Sequence, residues 1–161
     1  MLPEFKTILY ATDLGKHTRP VFRTAISLAR RYEADITMLH VVEPMSSAAQ
    51  AIVETYLTDV DAKKIFQDNM RLVLKTMKSR LEKFCQEEEQ SRDRQDIRVK
   101  ELLVISGRPS EEIIKAAQKH QADLIVMGKS TRRIFGTDIV GSTARRVPRY
   151  ATIPVIIVPN N

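Results

Sequence analysis

A lone cysteine, five glycines and the lack of any long apolar run set the first limits on this 161-residue sequence. A helix that crosses a membrane needs about 18 consecutive apolar residues, and no stretch approaches that. The opening MLPEFKTILYATD lacks the apolar core followed by small residues that marks a secretory signal, so a soluble, cytoplasmic protein is expected. Cys85 has no second thiol to pair with and no base nearby in sequence, which predicts a structural role for it. Five glycines and seven prolines leave little room for long linkers, and no internal repeat is present. A chain of this length carries one core, so a single domain over residues 1–161 is expected.

Several chemistries are missing as well. His17, His40 and His120 lie far apart, without cysteines or carboxylates at metal-ligand spacing, so a protein-built zinc or iron site is not expected. No serine–histidine–carboxylate or cysteine–histidine order stands out, and GxGxxG is absent. Gly128-Lys129-Ser130 copies the tail of the phosphate-loop motif, but the first glycine of that motif would fall at Asp123. Leu124 to Met127 then reads as a strand where a loop is required, and the nucleoside-triphosphatase reading fails.

What is present is a regular alternation. Phe5 to Ala11 reads as a strand that stops at Thr12-Asp13-Leu14-Gly15. Thr18 as N-cap and Pro20 in the first turn introduce a helix ending near Tyr32. Asp35 to Val42 is a near-continuous apolar run, as in a strand covered on both faces, and Glu43-Pro44 ends it. Residues 45–56 show a weak pattern that fits either a loop or a short helix. Phe66, Met70, Val73, Met77, Leu81 and Phe84 recur at helical spacing and predict the core face of a long helix. Ile97 to Val104 reads as a third strand, then a Gly107-Arg108-Pro109 turn, Ser110 as N-cap and a helix to about His120, with Glu111 and Glu112 favoured in its first turn. Asp123 to Met127 is a fourth strand. A basic, glycine-punctuated loop follows, then a helix from Ser142 to about Tyr150 containing Pro148, and a last strand between Pro154 and Pro159. Strand and helix alternating in this way predict an α/β fold: an open five-stranded parallel sheet, Rossmann-like, with helices on both faces.

Ligands of such sheets bind outside the carboxyl ends of strands, where the winding reverses. That directs attention to the segments after the first and fourth strands, Ala11 to Gly15 and Gly128 to Thr143. The second is also where the positive charge collects. Between Lys129 and Arg149 stand Lys129, Arg132, Arg133, Arg145, Arg146 and Arg149 against Asp138 alone, out of a net +6 for the chain. Glycines, hydroxyls and cations ahead of a helix N-terminus suit a phosphate, and a local anion partner is expected.

Ile8 to Asp13, Leu39 to Val42, Gly107-Arg108-Pro109, Asp123 to Gly128, Gly141-Ser142-Thr143 and Ile153-Pro154-Val155 together make the chain resemble the universal stress proteins over essentially its whole length. The resemblance implies a non-catalytic, ATP-binding stress-response regulator, with Mg²⁺ riding on the nucleotide phosphates. Nucleotide-binding members carry glycine, two residues, glycine, nine residues, then glycine and serine or threonine. Gly128, Gly141 and Ser142 fit this pattern, and Thr131 stands where the middle glycine belongs. A β-branched residue disfavours a positive φ and adds bulk beside a phosphate, whereas its hydroxyl and the neighbouring Lys129, Arg132 and Arg133 can meet phosphate oxygens.

The resemblance further implies that Asp13 faces ribose and base, that the main chain at Val41 reads the adenine edge, and that two copies pair through Val155 to Val158. Asp13 read from the residues alone also fits an Asx-type turn, and Ser142 a plain N-cap. The alternative function is a member that has lost nucleotide and meets an acidic protein through its basic loop. A nucleic-acid binder using Arg145, Arg146 and Arg149 is disfavoured, because no aromatic platform interleaves the charges.

Overall fold

The computed structural model describes residues 1–15, 17–56, 59–89, 98–129, 132–134 and 137–160; the side chains of 53–54, 59–63, 66, 77, 81, 85, 88–89, 132–134 and 137–139 lie outside the description. The elements are β1 (Thr7–Ala11), α1 (Arg19–Tyr32), β2 (Asp35–Val42), α2 (Ser47–Tyr56), α3 (Asp59–Glu89), β3 (Val99–Ser106), α4 (Pro109–Lys119), β4 (Leu124–Gly128), β5 (Arg132–Ile134), β6 (Thr137–Ile139), α5 (Ser142–Tyr150) and β7 (Val155–Val158).

Five strands form one parallel sheet in the order β3-β2-β1-β4-β7. The winding reverses beside β1, which pairs with β2 on one side and β4 on the other, so that Ala11 lies between Leu39 and Met127. Successive strand residues point to opposite faces. Ile8, Tyr10, Ile36, Met38, Leu124 and Val126 therefore pack on one face with Val21, Phe22 and Ala25 of α1. Leu9, Leu39, Ile125 and Met127 pack on the other with Ile113 and Ala116 of α4 and Ala144 and Val147 of α5. Both faces are covered, which is why the strands read as apolar runs. Asp123 pins the amino end of β1: its Oδ2 accepts from the amides of Lys6 and Thr7 at 2.8 and 2.9 Å.

Several local expectations change. Residues 47–56 form a helix, and its start is Ser46, whose Oγ accepts from the amide of Ala49 at 3.2 Å. The segment after Gly128 contains a two-stranded antiparallel ladder, β5 with β6, in which Arg133 stands opposite Asp138. Ser110 does not cap α4. Pro109 takes the first helical position, where its fixed φ and missing N–H suit it, and the cap position moves back to Arg108. Ser142 likewise is the first residue of α5, with Gly141 at the cap position. Thr18 stands at the cap position of α1, but its hydroxyl donates to the carbonyl of Gly15 and caps no amide.

The stripe on α3 is core only in part. Phe84 packs against Phe22 with ring centroids 5.4 Å apart, whereas Val73 is 37% exposed; Leu72, off the stripe, is 63% exposed. A helix of 31 residues is about 46 Å long. The eight residues of β2 span about 26 Å, so the helix outruns the sheet. Phe66, Met77, Leu81 and Cys85 have side chains outside the description.

Candidate functional site

The reversal beside β1 opens a cleft of about 130 Å³ at the carboxyl ends of the strands. Its floor comes from the sheet itself: Ala11 of β1, Leu39 and Val41 of β2, Met127 and Gly128 of β4. Pro109 and Ile113 of α4 close one side, and Thr143 of α5 and Asn160, two residues beyond β7, contribute to another. Thr12, Asp13 and Thr18 form the polar rim of the β1–α1 connection.

Hydrogen bonds hold that rim. The amide of Thr12 donates to the carbonyl of Leu39 at 2.9 Å, extending the β1–β2 pairing one residue past the strand. The carbonyl of Thr12 in turn accepts from Nδ1 of the buried His40 at 2.8 Å. Because a carbonyl only accepts, Nδ1 carries the proton. Thr12 Oγ1 accepts from the amide of Leu14 at 3.1 Å, and Asp13 Oδ1 from the amide of Gly15 at 2.8 Å. These two local turns carry the chain through Leu14, which adopts a left-handed φ of 57°. The Asx turn read from the sequence is thus formed at Asp13, and its exposed carboxylate still lines the cleft.

The basic segment is anchored where it meets the sheet. The amide of Lys129 donates to the carbonyl of Val158 at 2.9 Å, and the amide of Gly141 to the carbonyl of Lys129 at 3.2 Å. The two ends of the segment are therefore held together at the end of β4. Of the residues singled out by sequence, Ala11, Thr12, Asp13, Val41, Met127, Gly128 and Thr143 line the cleft. Lys129, Gly141 and Ser142 border these in the chain without lining it. Thr131 and the side chain of Arg132 lie outside the described residues.

Sequence reasoning missed Asn160, Pro109, Ile113 and the support from His40. The rule that ligands gather past the strand ends, applied to the last strand as well as the first and fourth, would have found Asn160. Gly128 has a packing reason of its own: a Cβ there would stand 2.9 Å from Asn160 Nδ2 and 3.2 Å from Val21 Cγ2.

Among the described residues no three histidines, cysteines or carboxylates gather as metal ligands, and no helix is long and apolar enough to cross a membrane. Among the described residues the groups whose protonation the fold shifts lie on the surface: the Lys6 ammonium and Glu4 carboxylate hold each other charged, and Glu112 raises Lys115. None of these lines the cleft.

The model of the universal stress protein family matches residues 4–159. The chain belongs to that family. A universal stress protein of Thermus aquaticus is 29% identical over 154 residues, covering 96% of this chain and 98% of its own. The solved structure of protein MJ0577, which is a universal stress protein of Methanocaldococcus jannaschii, superposes with a TM-score of 0.71 at 20% identity, covering 98% and 97% of the two chains. Universal stress proteins solved in complex with cAMP and, from Archaeoglobus fulgidus, with dAMP share the fold at TM-scores of 0.55 and 0.52. The first is 19% identical over 98% of this chain and 99% of its own; the second is 20% identical over 97% and 98%. In this universal stress protein the cleft at the reversal is thus built from segments lying within the family match, apart from Asn160 one residue beyond it.

Proposed function

We propose that this universal stress protein binds an adenine nucleotide, ATP with Mg²⁺ on its phosphates, in the cleft beside β1, and works as a cytoplasmic, non-catalytic stress-response regulator. The observation that carries the reading is the division of the cleft. Its apolar part, Leu39, Val41, Pro109 and Ile113, suits a flat base, and its polar end runs from Gly128 and Thr143 toward Lys129 and the basic segment. Relatives in complex with cAMP and dAMP support the ligand class.

Asp13, an acceptor-only carboxylate, belongs with base amino groups and sugar hydroxyls and repels phosphate. Lys129 and the first-turn amides of α5 supply the positive end, and Arg132 with Thr131 extends it in sequence. Mg²⁺ would neutralise phosphate charge, and no side chain of the described cleft offers it a cluster of ligands. Occupancy acts by ordering residues 128–141 and changing the surface that they offer to a partner. The working unit is a homodimer paired through β7.

Thr131 favours a second reading, in which the same dimer has lost nucleotide and the basic segment meets an acidic protein. Calorimetric titration of Mg·ATP into the purified protein, with Thr131→Gly alongside, separates the two. Saturable binding by the unmodified protein is expected. Binding only by Thr131→Gly would overturn the nucleotide reading in favour of the interaction dimer, and so would binding by neither. Unchanged hydrogen exchange over residues 128–141 on saturation would overturn the switching step.

A further inference from the structure

We propose that Asn160 is a phosphate contact of the cleft, its carboxamide N–H donating to the phosphate nearest the sugar; this rests on the nucleotide reading above. Read along the carboxyl edge of the sheet, the cleft passes from Val41 on β2 to Thr12 and Asp13 after β1, to Gly128 on β4, and to Asn160 after β7. Neighbouring strands stand about 4.8 Å apart, so three spacings separate the two ends by about 14 Å.

Chemistry orients a nucleotide along that line. The β2 end offers Leu39, Val41 and Ile113, apolar surfaces for a base, and the carboxylate of Asp13 keeps phosphate away from the middle. The β4 and β7 end leads into Lys129 and the N-terminus of α5. A base seated on β2 therefore lays its phosphate toward Gly128 and Asn160.

Asn160 is well placed to receive it. It is 9% exposed, and its amide nitrogen lies where a side chain on Gly128 would begin, 2.9 Å from the Cβ that glycine lacks. The absence of a side chain at Gly128 thus leaves room for that carboxamide against the backbone at the mouth of the basic segment. The preceding residues are held there too, because Val158 accepts from the amide of Lys129. A neutral amide is suited to this place: it donates to an anion without the desolvation cost of a buried charge, and a hydrogen bond to a charged acceptor is stronger than one between neutral groups.

The test compares adenosine with ATP in the presence of Mg²⁺, by calorimetry, for the unmodified protein, Asn160→Ala and the near-isosteric Asn160→Asp, with thermal melting as a check that each is folded. Asn160→Ala is expected to weaken ATP binding by about tenfold or more, as for a lost hydrogen bond to a charged group, while adenosine binding is unchanged. Asn160→Asp is expected to weaken ATP further by placing a carboxylate against phosphate, again sparing adenosine. Equal ATP binding by all three proteins overturns the assignment of Asn160 and leaves the nucleotide reading standing. A parallel fall for adenosine and ATP overturns the phosphate role. If the unmodified protein binds neither ligand, the nucleotide reading fails and this assignment with it.

Discussion

At the scale of single residues, Gly107 is a glycine for a conformational reason. Its φ is +156°, and an added Cβ would meet Glu112 Cγ at 2.6 Å on the first turn of α4. Gly107 also donates its amide to the carbonyl of Val42 at 3.0 Å, which ties the end of β3 to the end of β2 beside the cleft. Gly107→Ala is therefore expected to destabilise the fold by about 1–3 kcal/mol in urea unfolding. Adding Glu112→Ala removes the side-chain contact and leaves the backbone strain, so most of the loss is expected to persist. Full rescue by the second substitution would show a simple clash. The same scale separates Asp13 from Thr12. Both side chains serve local turns; the one at Asp13 was legible as an Asx turn, whereas residue type alone carries no sign of the one at Thr12.

At the scale of elements, the parallel sheet was legible because its strands are covered on both faces and so read as apolar runs bounded by glycine, proline or acidic residues. What was less legible follows from physical competition. Ser46 caps α2, yet α2 exposes Ile52 and Tyr56 and so shows no clear core stripe. Proline at the first helical position displaced the expected cap of α4 from Ser110. On α3, helical spacing announced a buried face without saying how much sheet was available to bury it. Phe84 joins the stack of Phe22 on Tyr10, whose centroids lie 5.2 Å apart, and is partly buried. Phe84→Ala is expected to lower unfolding free energy by about 1–3 kcal/mol, below the full cost of a buried phenylalanine. Leu72→Ala, on the exposed part of the same helix, is expected to change it by less than about 0.5 kcal/mol. Equal losses in urea titrations of the two variants would mean that the outer half of α3 is covered in solution.

At the scale of the whole molecule, the reversal beside β1 was legible as the place for a site, but Asn160 and Ile113 reach it only through the order of strands, which periodicity does not contain. That same order leaves β7 at an edge, with Val155, Ile156, Ile157 and Val158 all half-buried and Pro154 and Pro159 at either end. An exposed apolar edge invites pairing, and isologous pairing of two copies satisfies it. The hydrogen bonds already made say which groups would take part. Pro154 and Val158 direct their carbonyls to Ile125 and Lys129 on the β4 side. Backbone groups of a parallel strand alternate in direction, so Ile156 also faces β4 while Val155 and Ile157 turn theirs outward. In a dimer paired through β7, the amides of Val155 and Ile157 are expected to exchange slowly at high protein concentration and to speed up on dilution. Those of Ile156 and Val158 should stay protected throughout, because their partners lie within the same chain. Sedimentation equilibrium over the same concentrations should report twice the chain mass where the outward amides are slow. Fast exchange at Val155 and Ile157 alongside a dimeric mass would move the interface away from this edge, and a monomeric mass at all concentrations would leave the outward groups to water.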